Sequence, residues 1–244
     1  MGLLEVRDVV KTYGGIVAVS NASFDVVAGS ITALIGPNGA GKTTAFDAIT
    51  GVIDPDSGSI VFDGAEVLGS PPHAITKRGI GRTFQITREL GEMTVLENMV
   101  VSTVPNSLRA LLGGRMTNAE RDKAMDLLSF VGIQKLAHQP AKRLSYGQRK
   151  LLELAGVLMT EPRLILLDEP AAGVNPALLE RILDRILQSN ETGTTFLIVE
   201  HNMDVVMQLS DSVIVMAHGK VILQDTPKAV RRDTRVLDAY LGAV

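Results

Sequence analysis

The spacing of apolar residues changes from one stretch of the chain to the next, and each spacing predicts a kind of element. Leu3 to Val9 and Ile16 to Val27 mix β-branched residues with alternation and flank Gly14-Gly15, which predicts two antiparallel strands. Ile31-Thr-Ala-Leu-Ile35 is a short apolar strand, followed by a glycine-rich turn and a helix-compatible segment from Lys42 to Gly51. Gly58 to Val67 reads as a strand pair broken at the hairpin dipeptide Asp63-Gly64. From about 94 to 159 the period becomes helical. Met125, Leu127, Leu128 and Val131 recur on one predicted helix, and Leu151, Leu154, Ala155 and Leu158 on another. Beyond it strands and helices alternate: strands at 164–167 and 194–199, helices at 176–189 and 202–209. Such alternation predicts parallel βα units, and the tail from Lys228 reads as short helical turns.

The expected fold is therefore α/β. About 1–93 and 160–244 would form a core with a largely parallel mixed sheet and an N-terminal antiparallel β subdomain, and about 94–159 an inserted helical subdomain. A chain of 244 residues is long enough to bury a large core and is near the upper size of one domain.

Charge and cysteine content narrow the function. With 24 Lys plus Arg against 27 Asp plus Glu the net charge is −3, so no global positive field advertises a nucleic-acid partner. The chain has no cysteine and its four histidines lack ligand spacing, which makes a structural metal improbable. Met1 to Val10 carries Glu5, Arg7 and Asp8 inside its apolar residues and reads as neither signal peptide nor lipidation signal. Mean hydropathy is high, +0.21, but no apolar run approaches the roughly 20 residues that cross a bilayer. A cytosolic chain that meets a membrane only through a partner is the expectation.

Residues 36–44 read Gly36-Pro37-Asn38-Gly39-Ala40-Gly41-Lys42-Thr43-Thr44, which fits G-x-x-x-x-G-K-[ST] between a predicted strand and helix. Glycines let the backbone wrap so that N–H groups converge on phosphate oxygens, Lys42 reaches the β- and γ-phosphates, and Thr43 is placed to hold Mg²⁺. Such a loop alone serves kinases, GTPases and ATPases alike. The strand Leu164-Ile-Leu-Leu167 runs into Asp168-Glu169, where one carboxylate can reach the Mg²⁺ shell and its neighbour can polarise a water. A solvated strand-end carboxylate is the alternative for Glu169. Leu144-Ser145-Tyr146-Gly147-Gln148 precedes an apolar-striped helix, so Ser145 and the N–H groups near Gly147 sit where a helix start grips an anion, or simply caps itself.

LSYGQ is similar to the LSGGQ signature of the ATP-binding cassette (ABC) ATPases, and the other motifs stand in that family's order over essentially the whole chain. The resemblance implies further roles. Tyr13 would stack on adenine, its alternative being an exposed strand-end aromatic. Gln85, in Arg82-Thr-Phe-Gln85, would touch Mg²⁺ and the attacking water, or be a surface amide. His201 would contact the γ-phosphate, or be structural. Ser145, Gly147 and Gln148 would face ATP bound by a second cassette. Two positions depart from the common pattern. Tyr146 replaces a glycine, and Asn175 stands where the family usually has Asp, keeping a hydrogen-bonding group but dropping the charge.

Arg82-Thr-Phe-Gln-Ile, Glu169-Pro-Ala-Ala-Gly-Val-Asn-Pro and Ala239-Tyr-Leu-Gly242 resemble the ATP-binding subunits of branched-chain amino-acid importers. Importers of amides or urea, and lipopolysaccharide-export ATPases, share much of this. The resemblance implies an ATPase that dimerises with an identical or paralogous cassette. It would drive permease subunits served by an extracytoplasmic substrate-binding protein, from the inner face of the membrane. Cassette proteins of DNA or the ribosome usually need more chain than 244 residues, and a kinase or nucleotide switch leaves the signature and His201 unexplained. The apolar residues Met93, Val95, Leu96, Met99 and Val100 suggest that the surface around Gln85 and the helical insertion, about 94–112, docks a permease helix, with internal packing as the alternative.

Overall fold

The computed structural model describes residues 2–83, 90–101 and 116–241. The first predicted strands are β1 (Leu4–Tyr13) and β2 (Ile16–Val26). With β4 (Ser57–Phe62) and β5 (Ala65–Glu66) they form an antiparallel sheet in the order β2-β1-β4-β5. A second sheet is built from β3 (Ile31–Ile35), β6 (Ile80–Arg82), β7 (Leu164–Asp168), β8 (Thr195–Val199), β9 (Ser212–Ala217) and β10 (Lys220–Asp225), in the order β10-β9-β3-β8-β7-β6. Its ladders are parallel except the antiparallel pair β9–β10. The expected α/β class holds. Every residue of β3, β7 and β8 is buried, which is why these strands read as mainly apolar runs without alternation: a parallel sheet is covered on both faces. The hairpin β9–β10 lay outside the pattern reading, since 213–216 is an apolar run too short to type by period.

Helix α1 (Lys42–Ile49) lies between the sheets. Its Phe46 and Ile49 share one cluster with Phe24 and Phe62 of the antiparallel sheet and Leu34 and Leu197 of the parallel one. Fully burying an aliphatic or aromatic side chain contributes about 1.5–3 kcal/mol, so this cluster fixes α1, and with it the loop before it, against both sheets.

A short helix α2 (Pro72–Lys77) precedes β6. The helical region contributes α3 (Val95–Val101), α4 (Asn118–Phe130) and α5 (Tyr146–Leu158). Its core is continuous with the other face of the parallel sheet, since Leu128, Leu151 and Leu154 share a cluster with Ile165, Leu167 and Ile198. Val95, Leu96 and Met99 are buried in that same cluster. These three pack internally, which corrects the expectation that they face a permease helix. Helices α6 (Pro176–Glu191) and α7 (Met203–Leu209) complete the βα units. The tail forms α8 (Pro227–Val230) and α9 (Thr234–Leu241), docked through Val230 and Val236 beside Ile35 of β3.

Candidate nucleotide site

Three chemical segments leave the carboxyl ends of neighbouring strands: residues 36–44 after β3, Glu169 after β7, and Glu200-His201 after β8. Crevices at this edge of an open α/β sheet are where ligands bind. The register places Asp168 opposite Val199, and Val199 opposite Leu34, so the three segments start level.

The loop curls back over β9. A Cβ on Gly36 would collide with the Met216 carbonyl, and one on Gly41 with the Ala18 carbonyl, while both residues have positive φ, 151° and 100°. Only glycine fits these two places. Gly41 caps α1 without a side-chain hydrogen bond, which leaves the first-turn N–H groups aimed at the cleft for an anion. Lys42 Nζ donates to the carbonyls of Gly36 (2.7 Å) and Pro37 (3.0 Å). Burial lowers its pKa, against the opposing pull of the Glu169 and Asp168 carboxylates. Tyr240 of α9 braces the same loop: burial raises its phenol pKa, and a hydrogen bond from the Gly36 backbone works the other way.

The cleft, about 430 Å³, is lined by Asn38 to Thr44, Glu169, Val199 and His201, with Ile16, Val17 and Ala18 of β2 on one side. Tyr13 pairs with Ile16 at the end of the β1–β2 hairpin, half-exposed, with Lys11 Nζ 5.5 Å from its ring centre. Ile16 is 75% exposed, an apolar wall in water beside a phosphate loop. Alternation along β2 marked these residues only as strand, and their exposure is what singles them out.

Asp168 is buried at the end of β7. Burial raises its pKa, Arg82 opposes that shift, and Glu169 adds to it. Arg82 Nη2 lies 3.8 Å from Asp168 Oδ2, while its Nη1 binds Asp47 Oδ1 of α1 at 2.6 Å. Glu169 has φ 48°, and its N–H donates to the Val199 carbonyl at 3.0 Å. A left-handed backbone at a non-glycine residue costs of order 1–3 kcal/mol and persists where the surroundings enforce it. Here the turn delivers the carboxylate to the cleft, with Glu169 Oε1 2.9 Å from His201 Nε2. The neighbouring Glu200, unremarked in the sequence, is buried and accepts from the N–H groups of Ala171 (2.9 Å), His201 (2.9 Å) and Asn202 (3.1 Å). It ties the segment after Glu169 to the segment carrying His201.

The signature lies elsewhere: none of Ser145, Tyr146, Gly147 or Gln148 lines the cleft. Ser145 caps α5 in a reciprocal box with Gln148, its Oγ accepting from the Gln148 N–H (3.3 Å) and Gln148 Oε1 accepting from the Ser145 N–H (2.9 Å). Asn175 caps α6, its Oδ1 accepting from the Leu178 N–H at 3.0 Å, a task the amide performs without a charge. Gln85 lies outside the described residues.

A phosphate-wrapping loop, a buried strand-end carboxylate and a Glu–His pair on one sheet edge define a phosphate-loop nucleotide hydrolase. The model of the ABC transporter family matches residues 19–172. The chain is 38% identical to the probable branched-chain amino acid transport ATP-binding protein LivG of Archaeoglobus fulgidus, covering 100% of this chain and 96% of that one. It is 37% identical to the high-affinity branched-chain amino acid transport ATP-binding protein BraF of Pseudomonas aeruginosa, over 98% of each. Among solved structures, a nucleotide-free ATP-binding cassette from an ABC transporter superposes with TM-score 0.89 at 35% identity, over 98% of this chain and 99% of that one. The ADP conformation of MJ1267, an ATP-binding cassette of an ABC transporter, does so with TM-score 0.90 at 35% identity, over 99% of each. The chain belongs to the ABC transporter family and is one of its ATP-hydrolysing cassettes.

Proposed function

We propose that this cassette powers uptake of branched-chain amino acids. Its full-length likeness to LivG and BraF proteins supports the substrate class, and the Glu169–His201 pair at 2.9 Å in the cleft beside Lys42 supports the chemistry. ATP lies with its phosphates on the loop 36–44, and Lys42 exchanges its two loop carbonyls for β- and γ-phosphate oxygens. The base rests on the side of Ile16 and Val17, where Tyr13 stacks from the hairpin end. Glu169 takes the proton of the attacking water, and His201 holds Glu169 and the γ-phosphate in register. Gln85 would touch that water, as the family resemblance implies.

Mg²⁺ fits this end of the cleft. Thr43 offers a hydroxyl in the cleft, and Asp168 a carboxylate at the end of β7, beside Glu169 and with the Arg82 guanidinium 3.8 Å away. A magnesium ion held mainly by phosphate and water oxygens needs only one or two such groups. Bound there, it would neutralise charge developing on the phosphates.

Two copies, or this chain and a paralogue, close around two ATP molecules, each nucleotide lying between one subunit's loop and the other's Ser145, Gly147 and Gln148. Among the described residues no helix is long and apolar enough to cross a membrane, so the dimer docks on permease subunits at the inner face, with a substrate-binding protein on the far side. Reconstitution with the permease and binding protein in proteoliposomes tests the reading: leucine, isoleucine or valine should stimulate ATP hydrolysis. Stimulation by urea or amides alone overturns the substrate, and a rate indifferent to the permease overturns the transport role.

A further inference from the structure

Two consecutive signature residues rest on the segment that begins at Glu169. A Cβ added at Gly173 would stand 3.1 Å from Tyr146 Cε1, so one edge of the tyrosine ring lies close against that glycine, which has φ +71°. A Cβ at Gly147 would overlap Leu178 Cδ2, so the first turn of α5 and the first turn of α6 touch with nothing between them. Lys150, buried one turn further along α5, brings its ammonium to 5.9 Å from the Tyr146 ring centre and acts electrostatically on Asp168.

The other side of that segment is anchored in the cleft. Ala172 N–H donates to the Glu169 carbonyl at 3.1 Å, and Ala171 N–H to buried Glu200, whose other oxygen holds the His201 N–H. Residues 169–175 therefore touch the Glu–His pair at one end and the signature tyrosine at the other, an unbroken chain of contacts through a short span.

We propose that Tyr146 is a positioning residue that couples, within one subunit, the signature facing the partner's nucleotide to the loop that sets Glu169 over its own. The proposal rests on the dimer reading above. In a closed dimer the signature of each chain is seated by ATP on its partner; the Tyr146 ring passes that seating to Gly173 and so to Glu169. A direct physical link of this kind makes the two sites act together, and coupling between sites is typically worth about 5–150-fold. Tyr146 is 44% exposed and belongs to none of the buried apolar clusters, so its contact with Gly173 is not part of the core.

The test uses the assembled transporter carrying Tyr146→Ala, Tyr146→Gly and Tyr146→Phe. ATPase rate against ATP concentration gives the Hill coefficient and kcat, and nucleotide affinity of the separate cassette is measured by calorimetry. Tyr146→Phe keeps the ring and should behave as the parent. The alanine and glycine variants should lower the Hill coefficient from near the number of sites toward 1 and reduce kcat about 5–10-fold, with cassette affinity and melting temperature unchanged. Retained cooperativity in either ring-less variant, when the parent is cooperative, overturns the coupling while leaving the dimer reading intact. A non-cooperative parent that forms no ATP-dependent dimer overturns both.

Discussion

The two ends of the machinery are built on opposite plans. The phosphate loop is completed by its own chain: Lys42 is buried and already holds two loop carbonyls, two glycines fit against the carbonyls of Met216 and Ala18, and Tyr240 braces Gly36. The signature is half-finished by comparison. Ser145 is exposed, and in a capping box its hydroxyl accepts from the Gln148 backbone N–H while the Gln148 side-chain carbonyl accepts from the Ser145 N–H. A capping box satisfies two helix-end donors without any ligand, so this end is stable alone and becomes a phosphate grip only when another surface brings the anion. One end binds because it is preorganised within a chain; the other is preorganised to be presented.

The contrast breaks most directly at Lys42. Lys42→Ala removes the charge-assisted donor from a desolvated triphosphate site and should abolish tight nucleotide binding in calorimetry. Unchanged affinity would place the phosphates elsewhere. Glu169→Gln keeps the shape of the cleft and a hydrogen bond to water but loses the basicity that takes a proton. Turnover should fall by about 10²–10⁴-fold with ATP binding intact, and a steady-state phosphate-release assay reads it. If Ser145→Arg is added, monomer affinity should stay while ATP-dependent association seen by light scattering disappears, because that arginine intrudes only on a partner's nucleotide.

Smaller effects sharpen the comparison at the presented end. Gly147→Ala drives a methyl into Leu178 and should cost about 1–3 kcal/mol in a denaturant melt, and Leu178→Ala in the same background should recover part of the loss. If the double variant is no better than Gly147→Ala alone, the contact between α5 and α6 is not what demands glycine. Asn175→Ala removes the α6 cap and should lower stability by about 1 kcal/mol, a melting shift of roughly 2–4 °C in a chain of this size. Asn175→Asp keeps the accepting oxygen and should melt like the parent; an equal loss in both would mean the cap is not the role of Asn175.

The motifs that carry chemistry were legible in sequence because each is a local arrangement of few residues. A loop that must wrap phosphate needs glycine at fixed offsets from Lys42, and a strand buried on both faces must be apolar until it ends in Asp168-Glu169. Helix α5 announces itself through the Ser145–Gln148 spacing and the apolar stripe of Leu151, Leu154 and Ala155, all of which are set by a period of 3.6 residues. The family's signature order added roles that no period contains. The hairpin of β9 and β10, by contrast, left only a short apolar run, and Met93 to Val100 showed the same composition whether core or docking surface.

What the chain order alone determined, then, is which residues are available and what local shape each takes. Tertiary structure decided which of them meet. Strand order β3-β8-β7 sets His201 beside Glu169 although 32 positions separate them, because parallel strands bring their carboxyl ends to one edge whatever the length of the crossover. Glu200 looked like any strand-end carboxylate until the fold closed three backbone N–H groups around it. Tyr240 reaches Gly36 from the far end of the chain because Val236 finds the same cluster as Ile35. Long-range contacts of this kind have no signature in sequence, since hydrophobic burial is non-directional and any apolar face of the right shape would serve.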